Sequence, residues 1–207
     1  MNATVKLFGT VSNANGEPLE AADVQLMDRK FEPLFQTKTD SKGHYELLVP
    51  VGVYSFFFAC KDYGTNNLEY WSQDLPLDHD MQLNAVIDKL EIYGLHAFVI
   101  RGAAPGFSLY FRPMSLEKAL NKEEDICPNI SSESVQVWID QKPVTITAWN
   151  EVKEHVGPDA KVMKAFLIQV RRPEGVSFTP GQSLQVLLEI KDQQTGAKGQ
   201  ASRFFVY

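Results

Sequence analysis

The chain has 207 residues, 44% of them hydrophobic and 11% aromatic, with a formal net charge of −6. That apolar content supports packed cores and excludes disorder as the overall state, while the length suits two β-sandwiches of roughly 100 residues each. Lys and Arg form no stripe, so a nucleic-acid partner is not expected, and no run approaches the ~20 apolar residues of a membrane helix. The start, Met1 to Lys6, lacks the basic patch and apolar core of a signal peptide. The expectation is a cytosolic protein, or an extracellular or cell-surface one whose leader has been removed.

In chain order, short strands with turn punctuation dominate, the pattern of a sandwich. Residues 5–11 predict a first strand, closed by the turn Asn13-Ala14-Asn15-Gly16. Strands follow at 24–27 and 34–39, then the turn Asp40-Ser41-Lys42-Gly43, then strands at 44–49 and 53–60. The last of these is apolar in both phases, with Phe57 and Ala59 in one and Tyr54, Phe56 and Phe58 in the other. One set should fill a core and the other should lie beneath a further element. Residues 69–75 and 81–87 complete about seven strands. No Gly/Ser/Pro linker follows, so a second module should abut the first directly and move little against it.

That second module is expected to hold strands at 90–100, 107–112, 135–139, 144–149, 165–170, 184–190 and 201–207. Only 115–124 reads as helix, with Ser115 as its cap and Leu116, Ala119 and Leu120 at i, i+3, i+4 spacing. The fold class is therefore all-β, with two sandwich modules in series, residues 1–88 and 89–207. Cys60 and Cys127 are expected to be unpaired thiols rather than a disulfide.

The punctuation of the first module carries a resemblance. Gly9-Thr10-Val11, Asn15-Gly16-Glu17-Pro18-Leu19 with Ala22 and Val24, Thr39-Asp40-Ser41-Lys42-Gly43-His44-Tyr45 and Val51-Gly52-Val53-Tyr54 resemble a carboxypeptidase regulatory-like domain over residues 5–63. The resemblance implies a prealbumin-like (transthyretin-like) sandwich serving as an accessory, spacer or adhesion module. It implies no particular ligand. The second half is loosely similar to a bacterial immunoglobulin-like sandwich, mainly over 181–207.

Catalytic relatives of such folds need parts that this chain does not show. A hydroxyisourate hydrolase would end Tyr-Arg-Gly-Ser, whereas this chain ends Phe204-Phe205-Val206-Tyr207. An intradiol dioxygenase gathers two His and two Tyr around iron, but His44, His79, His96 and His155 are widely spaced. An internal Lys–Asn isopeptide bond, found in related adhesin domains, is not expected either. Asn84 stands in an acceptor place, but Val11 occupies the position of the lysine. Asp78-His79-Asp80 reads as a solvated turn in preference to a metal site. No cofactor, metal or catalytic residue is assigned.

The aromatic residues are the binding candidates. Tyr63, Asn66, Tyr70 and Trp71 flank the Gly64–Asn67 loop, where flat rings beside amides suit sugar faces. Neighbours on a strand point to opposite faces, so at least one of Tyr70 and Trp71 belongs to a core. Trp138 and Trp149 fall in the phases of Gln136 and Thr147 and so are placed on polar faces, where a Trp often marks an interface. Arg112 is expected to pair with a carboxylate or backbone carbonyls. These features point to a non-catalytic binding or accessory module for a polysaccharide or a protein. A purely structural, self-associating sandwich is the alternative, and a transthyretin-fold enzyme ranks third.

Overall fold

In the computed structural model, which describes residues 3–100, 106–158 and 161–207, the turn chemistry closes tight connections as its residue types require. The Asn13 carboxamide oxygen accepts from the backbone N–H groups of Asn15 (3.0 Å) and Glu17 (2.9 Å). Asp40 does the same for Lys42 (2.9 Å) and His44 (2.8 Å), with Gly43 at φ 73° completing the turn. Between such turns lie β1 (Thr4–Asn13), β2 (Asp23–Met27), β3 (Pro33–Lys38), β4 (His44–Pro50), β5 (Gly52–Cys60), β6 (Tyr70–Leu77), β7 (Met81–Gln82) and β8 (Ala85–Ile87). The second half adds β9 (Leu90–Phe98), β10 (Gly106–Ser115), a short helix α1 (Leu116–Leu120), a 3-10 turn (Ser132–Ser134), β11 (Val135–Ile139), β12 (Lys142–Val144), β13 (Ile146–Val156), β14 (Lys161–Arg171), β15 (Ser183–Lys191) and β16 (Lys198–Val206). The protein is all-β, and none of its described helices is long and apolar enough to cross a membrane.

The described residues form three sheets. Two have four strands each: β4-β1-β7 with β8 also on β1, and β13-β14-β10-β9. The third has eight strands in the order β12-β11-β15-β16-β6-β5-β2-β3 and runs through both halves of the sequence. Its joint is a parallel pairing of Ala201, Ser202 and Arg203 with Trp71, Ser72 and Gln73.

Alternation along β16 shows how one sheet serves two cores. Ala201 and Phe205 lie in the second core, with Leu90, Ile92, Phe107, Phe111, Ile168, Val186 and Leu188. Phe204 packs against the first core, which holds Leu7, Val11, Leu26, Tyr45, Phe57, Tyr70 and Leu75. Ser202 also turns to that side, where its hydroxyl meets Ser72 (2.7 Å) and Tyr70 (3.0 Å). Successive strand residues face opposite ways, so the two cores sit on opposite faces of the eight-stranded sheet. The expected direct abutment of the halves takes the form of a shared sheet.

Several expectations are corrected. Residues 81–87 form two short strands, because β1 is crossed at Gly9, where Leu83 N donates to Phe8 O (2.9 Å) and a Cβ would stand 2.0 Å from Leu83 O. The helix spans five residues in place of 115–124, capped by Ser115 as expected. The β13–β14 hairpin reaches well beyond 144–149 and 165–170, through charged residues that mark its solvent-exposed end. Tyr54 joins Phe57 and Ala59 in the first core and does not share the side of Phe56 and Phe58. Asp74, left-handed at φ 55°, accompanies a change of phase in both strands: Ser72 and Leu75 are buried on β6, Tyr54 and Phe57 on β5.

Candidate functional site

The second apolar phase of β5 lies on the face of the eight-stranded sheet opposite the first core. There Phe56 and Phe58 pair across the sheet with Gln73 and Trp71. The turn after β2 adds a fourth ring. Asp28 accepts from Lys30 N (2.7 Å) and Glu32 N (3.0 Å), and this holds Phe31 at φ 63°. A bulky residue rarely adopts that conformation, and it costs about 1–3 kcal/mol. Phe31 is 48% exposed and stacks on Phe56 at 4.6 Å and 13°. Trp71 meets Phe31 edge-on at 5.9 Å, Phe56 at 6.0 Å and Phe58 at 5.0 Å. The four rings form a contiguous half-exposed apolar patch, the kind of surface that marks interaction sites.

Beside the patch, carboxyl groups gather where β6 approaches β9. Glu69 accepts from Trp71 Nε1 at 3.0 Å. Glu91 on β9 is 1% exposed and its Oε2 has no hydrogen-bond partner. Burial, then repulsion by Glu69, pushes the Glu91 carboxyl up to about 8, against the opposing pull of Trp71 and Arg112. Burial also raises Glu69, which the Trp71 N–H partly offsets. Arg112 pairs with Glu154 at 3.0 Å and lies 4.6 Å over the Tyr93 ring, so the expected carboxylate partner is present.

The other proposed residues are dispersed. Tyr63 is 57% exposed and forms an isolated bridge with Asn67, and Asn66 is exposed on the same loop. Tyr70 is removed from any ligand surface: it is 1% exposed in the first core, with its hydroxyl on Ser202. Trp138 stands half-buried on the solvent side of β11. Trp149 does not stand on a polar face. A register shift between Ile146 and Ala148 turns it inward, where it lies 4.6 Å from Phe166 and packs on the second core. Phe31, Phe56 and Phe58 were not singled out in the sequence as binding residues. The doubly apolar β5 was the available signal for two of them.

Among the described residues no three His, Cys, Asp or Glu side chains gather as a metal site. Asp80 accepts from Lys6 N (2.8 Å), and His79 bonds to the adjacent Asp78. The Asn84 oxygen accepts from Thr10 N (3.1 Å), while Lys6 Nζ pairs with Glu46 (3.0 Å). Cys60 and Cys127 are buried free thiols, both pushed by burial up to about 12 and so protonated at neutral pH.

Comparison with known proteins matches one segment of the chain to a family model. Residues 6–84 match the model of the carboxypeptidase regulatory-like domain, a longer span than the motifs at 5–63. No curated protein matches the chain. Among solved structures, the chain resembles the major pilin subunit BcpA of Bacillus cereus at 11% identity and a TM-score of 0.33, covering 99% of this chain and 69% of that one. It also resembles DUF3823 family proteins. For the one from Bacteroides ovatus the identity is 9%, the TM-score 0.33 and the coverage 97% and 98%. For the one from Parabacteroides merdae the values are 10%, 0.34, and 92% of both chains. Likenesses of this size leave the function open.

Proposed function

We propose that the protein is a non-catalytic accessory module that docks a protein surface on the ring patch of Phe31, Phe56, Phe58 and Trp71. Residues 1–88 and 89–207 act as two modules held in fixed relation by the shared sheet. The observation that carries this reading is Phe31, an exposed aromatic residue kept in a left-handed conformation and stacked on its neighbour. Clustered rings with a polar rim, here Gln25, Gln73 and Glu69, have the make-up of a protein-binding centre. A glycan on the same patch is the second reading, favoured by the Trp71 ring and those amides.

Sedimentation over a wide concentration range tests the nearest protein partner, a second copy, and a glycan array run in parallel tests the alternative. The expected result is reversible self-association that Phe31→Ser and Trp71→Ala both abolish, with a blank array. A glycan signal lost in Trp71→Ala would transfer the patch to saccharide binding. A monomer throughout with no glycan bound would contradict both readings.

A further inference from the structure

The turn that delivers Phe31 also sets the charge at one end of the ring patch. It runs Asp28-Arg29-Lys30-Phe31-Glu32 and is closed by Asp28 N donating to Glu32 O (3.0 Å) and Phe31 N to Asp28 O (3.1 Å). The Asp28 carboxylate is engaged within the turn by Lys30 N and Glu32 N, and Glu32 stands at its foot, next to β3. Arg29 and Lys30 are exposed at the tip, and neither side chain has an ion-pair partner among the described residues.

The opposite end is acidic. Met27, at the base of the turn, pairs with Phe56, and Phe56 pairs with Gln73. Glu69 precedes Gln73 by four residues, about 13 Å of extended chain. It is half-buried, bonded to the Trp71 indole, and has no ion-pair partner among the described residues. Behind it, Glu91 is buried with its Oε2 unpartnered, and Arg112, the cation that acts on Glu91, is engaged by Glu154. Two carboxyl groups therefore meet at one end of the rings, and two unpaired cations stand at the other.

A patch polarised in this way is complementary to itself. A half-turn about an axis lying in the patch, across the line joining its ends, brings each basic turn over the acidic end of the other copy and rings onto rings. The chain as a whole carries a net charge of −6, which opposes association in any orientation that does not align opposite charges.

We infer that the partner of the ring patch is a second copy of this chain, docked face to face about a two-fold axis, with Arg29 and Lys30 of each copy on Glu69 of the other. The inference rests on the reading of the patch as a protein-docking surface, and adds the partner and the geometry. Covering the rings desolvates Glu69, and the incoming cations offset that cost while fixing the register. Every charge contact is made twice, and the contact closes at a dimer.

The test is sedimentation of wild type, Phe31→Ser, Glu69→Lys and the double variant Arg29→Glu with Lys30→Glu, alone and mixed. The expected result is a wild-type dimer with no larger species, a monomeric Phe31→Ser, and association weakened about tenfold or more in each charge variant. An equimolar mixture of the two charge variants should restore a dimer with one copy of each, because every reversed group then meets its opposite. Arg29 and Lys30 are exposed, so reversing them leaves the fold intact. Glu69→Gln, which keeps the shape beside Trp71, stands in if Glu69→Lys does not fold, and it too should weaken the dimer. Charge variants that associate like wild type while Phe31→Ser is monomeric would overturn this inference and leave the docking patch in place. A mixture without the mixed dimer, or species larger than a dimer, would do the same. Wild-type association retained in Phe31→Ser would overturn the patch reading itself, and a wild-type monomer at every concentration would overturn both.

Discussion

Glu91→Gln is expected to raise stability at pH 8–9 by a few kcal/mol and to remove most of the pH dependence between about 4.5 and 8. Glu91 is 1% exposed, and its carboxyl lies well above the ordinary glutamate value of 4.5, at about 8, through burial and the neighbouring Glu69. In that window the folded protein holds a proton that the unfolded chain has released. Stability therefore falls as pH rises from about 4.5 to 8 and levels off above it. The groups facing Glu91 are Glu69, which opposes its ionisation, and Trp71 and Arg112, which favour it. Cys60 and Tyr63 are themselves raised in part by its charge. The glutamine keeps the shape and removes the charge. Urea unfolding of both proteins at a series of pH values provides the check. Parallel stability curves for the two would place the pH dependence elsewhere.

Gly9→Ala is expected to cost about 3 kcal/mol or more, seen as a fall in the urea midpoint without a change of fold. A Cβ at this position would lie 2.0 Å from Leu83 O and 2.7 Å from Leu83 C, both backbone atoms that no side-chain rotation can move away. Relief requires β1 to separate from the segment joining β7 and β8. That movement also strains the buried bond from the Tyr45 hydroxyl to Leu83 O, now 2.6 Å. Overpacking of a core costs about 1–3 kcal/mol, and a weakened buried hydrogen bond adds about 1–3 kcal/mol. Gly16→Ala supplies the contrast. That residue has φ 82° but nothing within 4 Å of a Cβ, so its loss is limited to the left-handed conformation, about 1 kcal/mol.

These two residues show what the sequence makes legible. Gly9, Gly16, Gly43, Asp40 and Tyr45 belong to motifs that mark the first module, and each has a local mechanical duty that a residue type reveals. The doubly apolar β5 likewise announces a second covered face. The shared sheet is different. The pairing of Trp71–Gln73 with Ala201–Arg203 joins segments about 130 positions apart, as the Arg203–Gln73 hydrogen bond shows, and no local pattern encodes that distance. Bulges hide information in the same way. A one-residue slip exchanges the two faces of a strand, so the register shift before Ala148 moved Trp149 inward, while the left-handed Asp74, in a pairing whose register is unbroken, accompanies the change of phase that puts Tyr54 in the core. Phe31 escaped notice because a turn, and not a strand, delivers it to the patch.

One eight-stranded sheet runs through both halves of the sequence, so the chain is expected to behave as a single cooperative body that holds the ring patch in a fixed position. Labelling with fluorotryptophan gives a separate fluorine resonance for Trp71 in the first half and for Trp138 and Trp149 in the second, without any substitution. Followed through urea unfolding, all three resonances should change with one midpoint and one slope, as coincident probes do in a two-state transition. A Trp71 resonance that moves at a different urea concentration from the other two would contradict the account and separate the chain into independent modules.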